Sequence, residues 1–142
     1  MIFQTEAELK AFAESLGKTL ELPAVFELVG DVGAGKTTFT RSLAKGLGVK
    51  EPVTSPSFSI SKRYAFGKNL ENELIHYDFY RLDNPGIMSF ELEEALSERN
   101  SVIVVEWAGS VAELLPKNHV KISFKILEDG ARELEFEGME VK

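Results

Sequence analysis

Eight consecutive residues, Gly30-Asp31-Val32-Gly33-Ala34-Gly35-Lys36-Thr37, match the pattern G-x-x-x-x-G-K-[ST] in full. Glycines at this spacing let the backbone curl so that successive N–H groups point inward at phosphate oxygens. A helix starting there adds its free N–H groups and the positive end of its dipole. Lys36 can then reach the β- and γ-phosphates of a nucleotide, and the Thr37 hydroxyl is placed to ligate Mg²⁺. This chemistry needs a strand before the loop and a helix after it. The run 24–29 (AVFELV) reads as a buried strand, and 36–47 reads as a helix with Phe39, Leu43 and Leu47 spaced by four. The plainer reading, a glycine turn with an incidental lysine, does not account for that context.

A phosphate loop alone does not hydrolyse anything. A second carboxylate must hold Mg²⁺, directly or through water, and something must position the attacking water. Two acids end apolar runs: Glu106 follows VIVV and Asp78 follows LIHY. The C-terminal ends of strands beside such a loop are where an open α/β sheet presents its ligands. A solvated strand end for Glu106 and a turn-side carboxylate for Asp78 are the alternatives. Alternation puts His76, Asp78 and Tyr80 on one face. His76 is then either a core histidine with internal partners or part of the site. Trp107, the sole tryptophan, adjoins Glu106 and can wall a base or simply pack. A guanine reader of the N-K-x-D type is absent, and Asp83-Asn84-Pro85-Gly86, which spells D-x-x-G, follows Arg81-Leu82 rather than a buried strand end and reads as a turn.

The remaining elements must hold these groups in place. Thr5 and Glu8 form a capping-box pattern. Leu9, Phe12, Ala13 and Leu16 follow on one helical face, with Gly17 as the expected stop. The stretches 58–66 and 70–80 predict a hairpin turning at Gly67-Lys68-Asn69, and 90–96 a short helix. Ser101–Val105 (SVIVV) predicts a central parallel strand, buried on both faces. A short helix is expected over 111–115. A second hairpin follows, from Val120, Ile122, Phe124 and Ile126 through Asp129-Gly130 to Leu134 and Phe136. The fold class is α/β, with a mixed, mainly parallel sheet, helices on both faces and flanking hairpins.

The chain has 142 residues, the span of one domain over 1–142. Hydrophobic residues are 44% and charged residues 27%, which excludes a disordered or collagen-like chain. With 16 Lys plus Arg against 23 Asp plus Glu, the net charge of −7 argues against direct grip on a nucleic-acid backbone. The lack of cysteine excludes disulfides, thiolate metal sites and cysteine nucleophiles. The start, MIFQTEAELKAF, lacks a basic region, and Gln4, Glu6, Glu8 and Lys10 interrupt any apolar run, so no signal peptide is read there. No apolar stretch is long enough to span a membrane. A cytoplasmic protein is expected.

Taken together, these residues resemble the TsaE (YjeE) family, ATPases of bacterial tRNA threonylcarbamoyladenosine synthesis. The blocks that carry the resemblance are GDVGAGKTTFTR at 30–41, TSPSF at 54–58, HYDFYRL at 76–82 and VEW at 105–107, in that order and spacing. The resemblance implies a phosphate-loop NTPase fold, binding of ATP and ADP with Mg²⁺, slow ATP hydrolysis, and work on adenosine 37 of ANN-decoding tRNAs. It implies partnership with the TsaD–TsaB heterodimer, reset between turnovers, with tRNA met only through that complex. By position it puts Gly33, Ala34, Gly35, Lys36, Thr37 and Thr38 on phosphates, Thr37 and Glu106 on Mg²⁺, and Asp78 in the acidic position of the H-x-D block. Lys36, Asp78 and Glu106 are the implied catalytic set, and Trp107 is placed beside the nucleotide. Thr54 falls in a switch-like loop that senses the γ-phosphate, and Thr5 and Arg132 fall near base and ribose. Ser57 stands where threonine is usual, Ala108 where proline is common, and Val32 where leucine is usual.

A small-molecule kinase using the same loop is the main rival. Such enzymes cluster arginines on a lid, whereas the five arginines here (41, 63, 81, 99 and 132) are scattered. A GTPase lacks its guanine reader. A nucleotide-gated binding module with incidental hydrolysis lies close to the main reading.

Overall fold

Every residue of the run Ser101–Glu106 is buried, which only the middle of a sheet covered on both faces allows. The computed structural model describes residues 1–31, 33–54, 61–79 and 86–138, without the side chains of Ile87, Met88 and Ser110. Among the described residues one sheet contains β1 (Ile2–Phe3), β2 (Ala24–Val29), β3 (Ser61–Phe66), β4 (Asn72–Asp78), β5 (Ser101–Glu106), β6 (Val120–Ile126) and β7 (Arg132–Glu137). Their order is β1-β7-β6-β2-β5-β4-β3. The four central strands run parallel, with β2 between β6 and β5, and β5 between β2 and β4. The flanking pairs β3–β4, β6–β7 and β1–β7 are antiparallel. This is the mixed sheet with flanking hairpins that the sequence predicts.

Alternation along the strands sorts side chains onto two faces. Phe26, Leu28, Leu74, Val102, Val104, Ile122 and Phe124 pack under the helices α1 (Glu6–Thr19) and α2 (Lys36–Leu47), which contribute Leu9, Ala13, Phe39 and Leu43. Ile75, Tyr77, Ile103 and Val105 face the other way and meet Leu92 and Ala95 of α3 (Ile87–Leu96), with Ala108, Val111 and Leu115 beside them. The helix expected over 111–115 is instead two 3-10 turns, Ala108–Ser110 and Ala112–Leu114. β1, with two residues, is too short for alternation to announce it in the sequence. The start of the first hairpin at 58–60, Tyr80 and the turn at 83–85 lie outside the described residues, while Leu70 belongs to the turn, at φ +57°, rather than to a strand. No described helix is long and apolar enough to cross a membrane.

Gly17 does not end its helix; α1 continues to Thr19. The reason is the approach of α2. A Cβ on Gly17 would stand 2.4 Å from the Leu43 carbonyl oxygen, and one on Gly46 would stand 2.0 Å from that of Glu14. The two glycines face each other and let the helix backbones touch. Gly46→Ala should therefore lower the unfolding free energy in urea by about 1–3 kcal/mol, the usual cost of overpacking, although alanine is the better helix former by ~1 kcal/mol. A stabilised variant would contradict the close approach.

Tyr77 is fully buried and stacks on Phe79 with ring centroids 5.8 Å apart. Its hydroxyl has no hydrogen-bond partner among the described residues. Burial pushes the phenol up to about 12, with the Glu91 carboxylate adding to the effect. The unfolded phenol ionises near 10, so the unfolded chain binds fewer protons above that pH and stability falls as pH rises from there towards 12. Tyr77→Phe should flatten this alkaline loss in urea melts between pH 9 and 12 and leave stability at pH 7 close to wild type.

Candidate phosphate-binding site

β2 ends at Val29, and the chain turns through the glycine loop into α2. Gly35 caps that helix at φ +110°, a conformation L side chains rarely adopt, and a Cβ there would stand 3.2 Å from Leu9 Cδ2 of α1. The first turn of α2 has no side-chain cap and no acidic residue. A helix start leaves four N–H groups without intrahelical partners, so this end of α2 is a ready anion site.

Parallel register brings the carboxylates to the same place. Asp78 at the end of β4 is paired in register with Glu106 at the end of β5, which in turn pairs with Leu28 of β2. Glu106 is buried, at 5% exposure, and is held from two sides. Its Oε1 lies 3.8 Å from Lys36 Nζ, and its Oε2 lies 2.5 Å from His76 Nε2. The Lys36 ammonium also donates to the Gly30 carbonyl oxygen at 2.5 Å and sits 4.7 Å from the centre of the Trp107 ring. Trp107 has φ +57°, unusual for so large a residue. That backbone turn swings its ring over the lysine rather than into the core.

A cleft of about 580 Å³ opens over this group. Of the residues singled out in the sequence, Thr5, Gly33, Gly35, Lys36, Thr37, Thr38, Asp78, Glu106, Trp107 and Arg132 line it. Ala34 is buried beneath, its N–H donating to the Asp31 carbonyl at 3.1 Å. Thr54 lies elsewhere, in a groove with Arg41, Lys45 and Val53, where its hydroxyl accepts from Lys62 Nζ at 2.7 Å. Ser55, Pro56, Ser57 and Phe58 of that block, and Arg81 and Leu82 of the other, lie outside the described residues.

Thr5 also does the capping work read from the sequence. Its hydroxyl accepts from the Glu8 N–H at 3.2 Å, while the Glu8 carboxylate accepts from the Gln4 N–H at 2.8 Å, one residue earlier than the capping box requires. Arg132 ties the β6–β7 turn to the phosphate loop, donating to the carbonyls of Gly130 at 2.7 Å and Gly33 at 3.4 Å. Sequence reasoning missed Phe3, Glu6, Leu9 and Gly130 as cleft walls. Leu9 lies one helical turn from Thr5, and that i, i+4 spacing was the available signal. A hydrogen bond from Lys10 and its charge, with Arg132 further off, hold the Glu6 carboxyl below its ordinary range.

Among the described residues no group of three or more acidic or histidine side chains could cage a metal. A hydroxyl and two carboxylates at Thr37, Asp78 and Glu106 nonetheless suit Mg²⁺, which keeps several waters and is normally held by one or two carboxylates plus phosphate oxygens. With the single tryptophan against it, Lys36 can be followed optically. Lys36→Met removes the cation and keeps the stem, so the Trp107 emission spectrum should change in the ligand-free chain. Identical spectra would refute the ion–ring contact.

Residues 3–134 match the family model described as "Threonylcarbamoyl adenosine biosynthesis protein TsaE". The tRNA threonylcarbamoyladenosine biosynthesis protein TsaE of Bacillus subtilis is 38% identical over 129 residues, covering 91% of this chain and 78% of its own. That of Rickettsia bellii is 35% identical over 133 residues, covering 92% and 89%. The crystal structure of Bacillus subtilis YdiB superposes with a TM-score of 0.78 at 34% identity, covering 96% of this chain and 82% of that one. The sheet, the cleft and the likeness along nearly the whole length agree: the chain belongs to the TsaE family.

Proposed function

We propose that this chain binds ATP and ADP with Mg²⁺ in the cleft, hydrolyses ATP slowly, and thereby supports threonylcarbamoyl modification of adenosine 37 in tRNA through the TsaD–TsaB heterodimer. Family membership supports the role in tRNA modification. The observation that carries the nucleotide reading is the convergence of an uncapped helix start, the Lys36 ammonium and the paired Asp78 and Glu106 in one cleft. Backbone N–H groups from Gly33 to Thr38 would cradle the phosphates, and Lys36 would exchange the Gly30 carbonyl for phosphate oxygen. Thr37, Glu106 and Asp78 would hold Mg²⁺, directly or through water. Bound there, the ion would neutralise charge on the β- and γ-phosphate oxygens. Asp78 or Glu106 would orient the attacking water. Thr5 and Arg132 on the cleft lining suit base and ribose, and Trp107 lies beside Lys36. Thr54 would sense the γ-phosphate only by leaving Lys62.

An acidic chain of net charge −7 suits an ATPase that meets tRNA through a partner and works in the cytoplasm as one domain, away from membranes. Among the described arginines only Arg132 lines the cleft, whereas a kinase lid clusters several.

The test is nucleotide titration by calorimetry, with ATP turnover measured alone and with the TsaD–TsaB pair added. ADP and ATP should bind in a Mg²⁺-dependent way, GTP more weakly, and the pair should change turnover. Lys36→Ala should weaken ADP binding about 10–100-fold, the worth of a hydrogen bond to a charged group, with the fold kept. Normal hydrolysis by that variant, or turnover indifferent to the pair, would overturn the proposal.

A further inference from the structure

Among the described residues, His76 is a buried group set against the site whose chemistry the proposed reaction has not used. It lies on β4 two residues before Asp78, on the sheet face that looks towards α2, at 1% exposure. Its Nε2 is 2.5 Å from Glu106 Oε2. Its Nδ1 is buried and has no partner among the described residues. The other histidine differs: His119 has Glu27 Oε1 at 3.1 Å from Nε2 and the Pro116 carbonyl at 2.6 Å from Nδ1.

We infer that His76 is a positioning residue for Glu106: it carries its proton on Nε2, donates it to Glu106 Oε2, and so leaves Oε1 facing the cleft. The unpartnered nitrogen fixes the tautomer. A buried N–H without an acceptor leaves a donor's full desolvation cost, about 1–3 kcal/mol, so the proton goes to the nitrogen that has a carboxylate in front of it. The consequence for Glu106 is directional. A free carboxylate can turn about its last torsion and offer either oxygen. With Oε2 occupied by His76, the remaining oxygen, 3.8 Å from Lys36, is the one presented towards the phosphate loop. Hydrogen bonds of this kind orient metal-binding carboxylates and set their affinity. The inference rests on the proposed Mg²⁺ reading of Glu106.

The test has two arms on the full chain. Nitrogen-15 NMR of the two imidazoles, with His119 assigned by its loss in His119→Gln, should show a proton on His76 Nε2; a bare Nε2 overturns the inference whatever the metal does. The second arm titrates Mg²⁺ into the chain with ADP by calorimetry. His76→Leu, apolar and of similar bulk, should raise the Mg²⁺ concentration needed for tight ADP binding by about 10–100-fold. ADP affinity without Mg²⁺ should stay near wild type. His76→Gln, whose amide nitrogen can stand where Nε2 stands, should recover most of the Mg²⁺ response. A Leu variant with the wild-type response overturns the positioning role alone. A wild type whose ADP binding ignores Mg²⁺ overturns the metal reading, and the inference with it.

Discussion

Parallel pairing sets the level at which strands end, and here it sets the site. β5 runs beside β2 on one side and β4 on the other, and the register puts Leu28, Glu106 and Asp78 in one row. A slip of one residue in either ladder would turn the acid to the opposite face of the sheet. The row stands where the chain leaves β2 for the glycine loop, so the loop and the carboxylates come from strands that are neighbours in space and far apart in sequence. The burial of β5 on both faces fixes that register, since Val102 and Val104 must meet α1 and α2 while Ile103 and Val105 meet the α3 side.

Placing a carboxylate in that row is costly unless its oxygens are satisfied. Glu106 answers this with a histidine on one oxygen and a lysine near the other. Lys36 in turn is nearly buried, with a carbonyl, a carboxylate and an aromatic face around its ammonium. The arrangement is a chain of mutual dependence: His76 to Glu106, Glu106 to Lys36, Lys36 to the Gly30 carbonyl and Trp107. The charges of Glu106 and Lys36 offset each other, and a carbonyl dipole and an aromatic face complete the shell of the ammonium.

Local chemistry was legible in the sequence and non-local geometry was not. The glycine loop, the strand before it and the helix after it are contiguous, so pattern alone located them, and Asp78 and Glu106 stood out as the acids that end apolar runs. Thr5 could be read as a cap for the same reason. Gly17 misleads as a stop signal because a glycine can end a helix or admit a neighbour, and only the presence of Gly46 across the contact decides between them. β1 has two residues, too few for alternation to speak. Phe3, Glu6 and Gly130 became walls of the cleft through packing against partners distant in sequence. His76 stands open between core and site in the sequence; the structure buries it and sets its Nε2 against Glu106 Oε2, a contact between strands that no local pattern announces.

The contact between Gly17 and Gly46 also has a mechanical meaning. α1 supplies Glu6 and Leu9 to one wall of the cleft, and α2 supplies its floor at Lys36, Thr37 and Thr38. With backbone against backbone further along, no side chain lies between the two helices there to act as a compliant spacer. Wall and floor therefore move as one stiff bracket. The β6–β7 hairpin is joined to both arms of that bracket: β7 pairs with β1 just ahead of α1, and the Arg132 guanidinium donates to the Gly33 carbonyl oxygen of the loop.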